Sequence, residues 1–135
     1  MPADDLKQRT LAFAARVALF TESLPKSRSA DVFARQLLRS ASSVGANFRS
    51  AGRAQSTAHI ISKLSIVEEE ADECGYWLEL MVATRVASAE SVGPLLREAS
   101  ELTAIVVASK KRLRAKLRAA PQRNSQFAIR NSEET

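Results

Sequence analysis

The sequence predicts an all-α protein, folded as an antiparallel up-down four-helix bundle. Three observations support this fold class. Hydrophobic residues make up 45% of the 135 residues, glycine and proline number only 4 each, and apolar residues recur at helical spacing. A β-sandwich or β-barrel would need a turn about every 8–12 residues, and the sequence has too few turn residues to supply them. We therefore expect one bundle over residues 1–118.

The first two helices are separated by Pro25, which ends a helix that precedes it. The first helix has its apolar residues on one face: Leu6, Phe13, Val17, Phe20 and Leu24. The second is expected to begin after Ser27 or Ser29 as N-cap, with Asp31 in the first turn, where a carboxylate complements the helix dipole. Its apolar face is formed by Phe33, Leu37, Ala41, Val44, Phe48 and Ala51.

The third helix has the strongest periodicity and is predicted to begin after Ser56 as N-cap. Its main apolar face consists of Ile60, Leu64, Val67, Ala71, Cys74, Leu78 and Met81. Further apolar residues lie off this face, at Ile61, Ile66 and Trp77. Since a single bundle buries one face of each helix, this surplus suggests a subunit interface.

The fourth helix is expected to begin near Ser91 or Gly93, with Pro94 in its first turn. It continues through Leu95, Ala99, Leu102, Val106, Leu113 and Leu117. The short connections require consecutive helices to run antiparallel. Residues 119–135 have no sustained periodicity, and we expect them to form a basic and polar tail that is flexible by default.

The cysteine content and the N-terminus favour a cytoplasmic protein. Cys74 is the single cysteine, so an intrachain disulfide is impossible. The N-terminal residues Asp4 and Asp5 replace the basic region of a signal peptide, and the apolar stretch that follows is interrupted by Arg16. We expect no signal peptide, no transmembrane segment and no membrane partner.

Catalysis has little support in the sequence. His59 is the only histidine, and the carboxylates of residues 68–73 lack the Glu-x-x-His pairs of di-iron bundles. Nucleotide-binding glycine loops are absent, and Cys74 is interpreted as a small core residue. The acidic cluster is interpreted as a solvated face or as the partner of basic residues elsewhere. We predict a protein that is not an enzyme and has no metal and no cofactor.

Small residues cluster on the second helix at Ser40, Ser42, Ser43, Gly45 and Ala46. We interpret this patch as the place where another helix approaches closely, in preference to a catalytic serine.

Basic residues are the most informative feature, since the formal net charge is +5 at pH 7. Arginine and lysine bind phosphate through charge, and arginine also through bidentate hydrogen bonds. Aromatic stacking platforms are lacking, so base-specific recognition is not indicated. A merely solubilising surface remains an alternative. The candidate nucleic-acid-binding residues are Arg35, Arg39, Arg49, Arg53, Lys63, Lys110, Lys111, Arg112, Arg114, Lys116 and Arg118. We expect Lys110, Arg114 and Arg118 to form the dominant row.

The middle of the chain resembles a known family. The segments Leu37–Phe48, Lys63–Ile66 and Tyr76–Leu78, with Ser56 and Glu70 between them, are similar to the four-helix bundle proteins encoded in intervening sequences of bacterial 23S ribosomal RNA genes. The resemblance covers roughly residues 30–108. It implies a closed bundle that assembles as a ring-shaped homopentamer, with no established catalytic residue. A related protein, the accessory protein of diversity-generating retroelements, binds nucleic acid and a reverse transcriptase through a basic surface.

Two functional hypotheses follow. In the first, the protein is an oligomer that binds RNA or DNA without sequence specificity through repeated basic patches. In the second, it is a protein-interaction adaptor with no intrinsic nucleic-acid binding, which recognises a reverse transcriptase or another protein through the acidic face of the third helix and the basic tail.

Overall fold

The computed structural model describes residues 3–119, which form four α-helices: α1 (Ala3–Glu22), α2 (Arg28–Gly52), α3 (Thr57–Ala83) and α4 (Ala89–Ala119). Each helix packs against the next one in the chain, and α1 also contacts α4. This all-α arrangement confirms the predicted helices and has the sequential contacts of an up-down bundle. The predicted tail, beyond its first residue, lies outside the described residues.

Serine side chains cap the starts of three helices. The Ser27 hydroxyl accepts a hydrogen bond from the Ala30 N–H, and the Ser56 hydroxyl accepts one from the His59 N–H, both at 3.1 Å. Ser56 is the predicted cap of α3, and Ser27 is one of the two residues predicted for the cap of α2. The predicted start of α4 is wrong, because the Ser88 hydroxyl accepts the Ser91 N–H at 3.1 Å and the helix begins at Ala89. Pro94 therefore lies in the second turn.

The core is formed by the predicted apolar faces, except that Leu117 near the end of α4 is 41% exposed. Among the fully buried side chains are Phe13, Leu37, Val44, Val67, Leu78, Met81 and Leu102. The surplus apolar residues of α3 do not form an open face. Trp77 is half-buried and packs against Phe33 of α2, with ring centroids 6.1 Å apart, while Ile61 and Ile66 are also half-buried. The large apolar side chains with the greatest exposure include two on α1, Leu19 at 74% and Leu11 at 53%.

The turn between α3 and α4 ends α3 with a Schellman motif. The Val86 N–H donates to the Met81 carbonyl at 2.8 Å, and the Arg85 N–H donates to the Val82 carbonyl at 3.0 Å. This motif places Arg85 in the left-handed region, with φ of 63°. Glycine is the usual residue there, because a Cβ atom makes this conformation unfavourable.

We predict that Arg85→Gly stabilises the protein. Relief of the left-handed strain outweighs the extra chain entropy of glycine in the unfolded state, for a net gain of about 0.5–1 kcal/mol. Urea denaturation measures this change in the free energy of unfolding. Arg85→Ala, which retains the Cβ atom, is the matched control and should give no gain.

The small-residue patch of α2 lies where α1 approaches. A Cβ atom placed on Gly45 would contact Thr10 of α1, at 3.4 Å from its Oγ1 and 3.6 Å from its carbonyl carbon. Gly45 therefore lies where another helix approaches closely, as predicted for the patch. Ala46 is exposed beside this contact.

We expect Gly45→Leu to lower the free energy of unfolding by about 1–3 kcal/mol, because its side chain overpacks the contact with Thr10. Gly45→Ala adds only a methyl group at ordinary contact distance and favours the helix, so it should be neutral or mildly stabilising. Thermal melts of the two variants decide the point. If the leucine variant were as stable as the alanine variant, α1 and α2 would be able to move apart there without loss of stability, which would contradict the close contact.

Candidate nucleic-acid interface

The antiparallel order brings the N-termini of α1 and α3 and the C-termini of α2 and α4 to one end of the molecule. Residues 53–56 connect α2 directly to α3 at this end. The Nζ of Lys110 lies 3.0 Å from the Ser65 hydroxyl, so the last turns of α4 run beside the first turns of α3. We call this region the basic end and define it by Lys7, Arg49, Arg53, Lys63, Lys111, Arg112, Arg114, Lys116 and Arg118.

One part of the basic end is a cleft between α1 and α2. Lys7, Arg49 and Arg53 line an opening of about 280 Å³, together with Asp4. Sequence reasoning missed Lys7, because a single lysine in a first turn carries no signal by itself. Its place beside the two arginines follows from the antiparallel pairing of α1 with α2, which the predicted helix boundaries could have revealed.

The larger part of the basic end is the last two turns of α4. Lys111, Arg112, Arg114, Lys116 and Arg118 are all exposed. Within residues 3–119, none of these five forms a salt bridge, and the Arg112 guanidinium donates only to the Ser109 hydroxyl, at 3.2 Å. Cations at a helix C-terminus are also favoured by the helix dipole. The charges of this segment are therefore available to an anionic partner.

Lys110 differs from its neighbours, and the structure corrects its predicted place in the exposed row. Its side chain is only 7% exposed, and its ammonium group donates to Ser65 Oγ and to Glu68 Oε2 at 3.2 Å. The reason is helical spacing, since position 110 follows the buried Val106 by four residues and faces α3. The exposed row is formed instead by Lys111, Arg114 and Arg118.

Arg39 lies in the middle of the bundle and is also paired. Its guanidinium donates to Glu70, at 3.4 Å, and to Glu73. The Ser40 hydroxyl donates to the same Glu73 carboxylate at 2.6 Å. The hydrogen bond from Ser40, with those from Arg39, lowers the pKa of Glu73, while burial raises the pKa of Glu70. Glu70 and Glu73 of the acidic cluster are thus partners of a basic residue, Arg39, which is one of the two predicted roles of the cluster.

Arg35 lies far from the basic end. It lines a cleft of about 430 Å³ near the start of α2, beside Lys26 and Asp31. The structure therefore brings Arg49, Arg53, Lys63 and the exposed α4 cations to one end, but it places Arg35 at the opposite end and Arg39 between the two.

The remaining groups considered for catalysis or metal binding are Cys74, His59 and the carboxylates. Cys74 is buried in the core, and this burial raises the pKa of its thiol to about 12. His59 is exposed in the first turn of α3. In the described part of the chain, no three His, Cys, Asp or Glu side chains are grouped to hold a metal ion. No helix among residues 3–119 is long and apolar enough to cross a membrane.

The fold and this site define a four-helix protein with a strongly basic end. The chain belongs to the 23S rRNA-intervening sequence protein family, whose model matches residues 4–108. It is also similar to a crystal structure of a protein of unknown function from the S23 ribosomal protein family of Bacteroides thetaiotaomicron VPI-5482, with 34% identity and a TM-score of 0.76. That match covers 82% of this chain and 99% of the other. No protein of curated function matches this chain.

The stability of the protein should respond unequally to removal of the buried Lys110 and of its half-buried partner Glu68. Glu68→Ala leaves a buried ammonium without its carboxylate, which we expect to cost about 1–3 kcal/mol. Lys110→Met places an apolar side chain in the same space, and the Glu68 carboxylate, 32% exposed, can turn to water, so the cost should be smaller. Chemical denaturation compares the two. A larger loss for Lys110→Met would contradict this account.

Proposed function

We propose that this protein is a non-enzymatic nucleic-acid-binding protein that holds RNA or DNA through its basic end. The observation that carries this proposal is the concentration of cations without carboxylate partners at one end of the fold. In the body of the bundle, Arg9, Arg39 and Lys110 are each paired with carboxylates. At the basic end lie exposed cations of α1, α2 and α4 and the half-buried Lys63 of α3, and none of them forms a salt bridge among residues 3–119.

The chemistry of the basic end suits the phosphate backbone better than the bases. Lysine and arginine displace the counterions that surround phosphates, and this release drives binding without sequence specificity. Base recognition in single strands uses aromatic platforms. Tyr76 and Trp77 lie farther along α3. Phe48 lines the cleft beside Arg49 but packs against the core, so stacking at the basic end is not expected. Binding should therefore depend strongly on salt and weakly on sequence.

We further propose that the protein acts as a homo-oligomer in the cytoplasm. The resemblance to the intervening-sequence family implies a homopentamer, and a ring of subunits would repeat the basic end several times. Repetition strengthens weak contacts when several copies bind one strand. Native mass spectrometry would show a mass several times 14.7 kDa. Through the related retroelement accessory protein, a reverse transcriptase is a candidate protein partner.

An adaptor function is the second candidate, and exposed acids on α3 favour it. Glu69, Asp72 and Glu79 are exposed, and none of them forms a salt bridge within the described residues. Such a face could recognise a basic partner protein. In that case bare nucleic acid would bind only weakly at physiological salt.

The salt dependence of binding tests the first function. We expect the logarithm of the affinity to fall with the logarithm of the salt concentration, by about 0.7–0.9 per phosphate neutralised. Replacing Lys111, Arg114 and Arg118 together by glutamine should reduce this slope by about two to three units per engaged subunit. Glutamine retains helix propensity, so the fold and the native mass should be unchanged. Fluorescence anisotropy with labelled RNA and DNA measures the slope.

The matched control removes the same charge at the opposite end, through replacement of Lys26, Arg28 and Arg35 by glutamine. Its slope should stay close to that of the unchanged protein. Equal losses in both variants would show that net charge, and not the basic end, attracts the nucleic acid. Absence of binding by the unchanged protein near 150 mM salt would favour the adaptor function.

A further inference from the structure

Helix α1 has a second apolar face, which points away from the core. Leu11 is 53% exposed and Leu19 is 74% exposed, and Ala12 and Ala15 between them are also exposed. Their spacing places the four side chains along one side of the helix. We call them the outer stripe. Two exposed cations, Lys7 and Arg16, flank it. Large apolar side chains left exposed along one side of a helix are a candidate protein contact.

A cleft between α3 and α4 has the complementary character. It has a volume of about 450 Å³ and a floor of small residues, among them Ala71, Gly75 and Ala99. The floor is open, because a Cβ atom on Gly75 would have only the Leu96 side chain within 4 Å, at 3.9 Å. Its border carries the exposed carboxylates of Asp72 and Glu79, which have no salt bridge within residues 3–119.

We propose that the outer stripe of one subunit packs into the α3–α4 cleft of a second copy of this chain. The leucines would enter a cleft whose small residues allow close approach of a helix, and Arg16 beside the stripe would meet the acids at the border. The inference rests on the proposed self-assembly and specifies the surfaces that produce it. The same two acids then serve a contact between copies, which competes with the adaptor function.

The geometry of this contact determines the type of assembly. The stripe belongs to α1 and the cleft to α3 and α4, so each subunit offers one surface of each kind. Such a heterologous contact joins subunits head to tail and gives a ring where the rotation closes. A symmetric contact between two outer stripes fits less well, because it would bring the cations that flank the stripe into one interface.

Mixing two variants tests the proposal. The stripe variant carries Leu11→Glu and Leu19→Glu, and the cleft variant carries Asp72→Lys and Glu79→Lys. All four positions are exposed, so circular dichroism and thermal melts should show folded chains. Each variant alone should have a mass close to 14.7 kDa by light scattering. An equimolar mixture should form a 1:1 dimer through the two unchanged surfaces, or a larger assembly if the new glutamates of one variant also pair with the new lysines of the other. A mixture that stays monomeric would overturn the proposed contact.

The control variant carries Val32→Glu and Leu38→Glu, two exposed apolar residues of α2 at 46% and 38% exposure, and should retain the native mass. A stripe variant with the native mass would overturn the proposed contact, although self-assembly would stand. A cleft variant that forms dimers alone would indicate the symmetric stripe contact and would also overturn it. A monomeric unchanged protein would refute both the contact and the proposed self-assembly.

Discussion

The short connections between consecutive helices are the constraint on which the other features depend. Four residues separate α2 from α3, so the chain must reverse direction at once. The N-termini of α1 and α3 and the C-termini of α2 and α4 therefore lie at one end of the molecule. The cations near the C-termini of α2 and α4 come together there, although more than fifty positions separate them in sequence. No direct attraction between these groups is needed. Packing of the apolar faces imposes their proximity, and the helix dipole makes the two positions tolerable for positive charge.

Charges in the body of the bundle serve packing. Arg9 of α1 donates to Glu98 of α4 at 2.6 Å and also to Glu101, which joins two helices that otherwise touch little. This guanidinium lowers the pKa of the Glu98 carboxyl. Lys110 joins α3 to α4 in the same way. Because buried or half-buried cations need partners, the fold uses its acids there. Most cations of the basic end are exposed to water and have no such requirement, so their charges are available for binding.

Periodicity and capping chemistry were sufficient to predict the four helices, the core faces and two of the three serine caps. The start of α4 was wrong because Ser88, Ser91 and Gly93 can all precede a helix, and only the hydrogen bond to Ser88 distinguishes them. The unbroken basic run predicts that Lys110 is exposed with its neighbours, but its spacing of four residues from Val106, which itself follows Leu102 by four, places it on the buried side of α4. The place of Lys7 follows from the predicted antiparallel pairing of α1 with α2, whereas the openness of the outer stripe depends on how all four helices pack. That information lies in the packing of the whole bundle, and no single helix contains it.

The length of the exposed α4 row sets a scale for any contact it makes. From Lys111 to Arg118 the helix rises about 10 Å, at 1.5 Å per residue. One strand of a duplex advances about 3.4 Å along its axis per phosphate, so this row matches about three phosphates. A single subunit would therefore bind a very short stretch of strand and dissociate from it quickly. The residence time on a nucleic acid would then increase with the number of adjacent subunits that bind it. The protein would therefore bind long strands more persistently than short fragments, whatever their sequence.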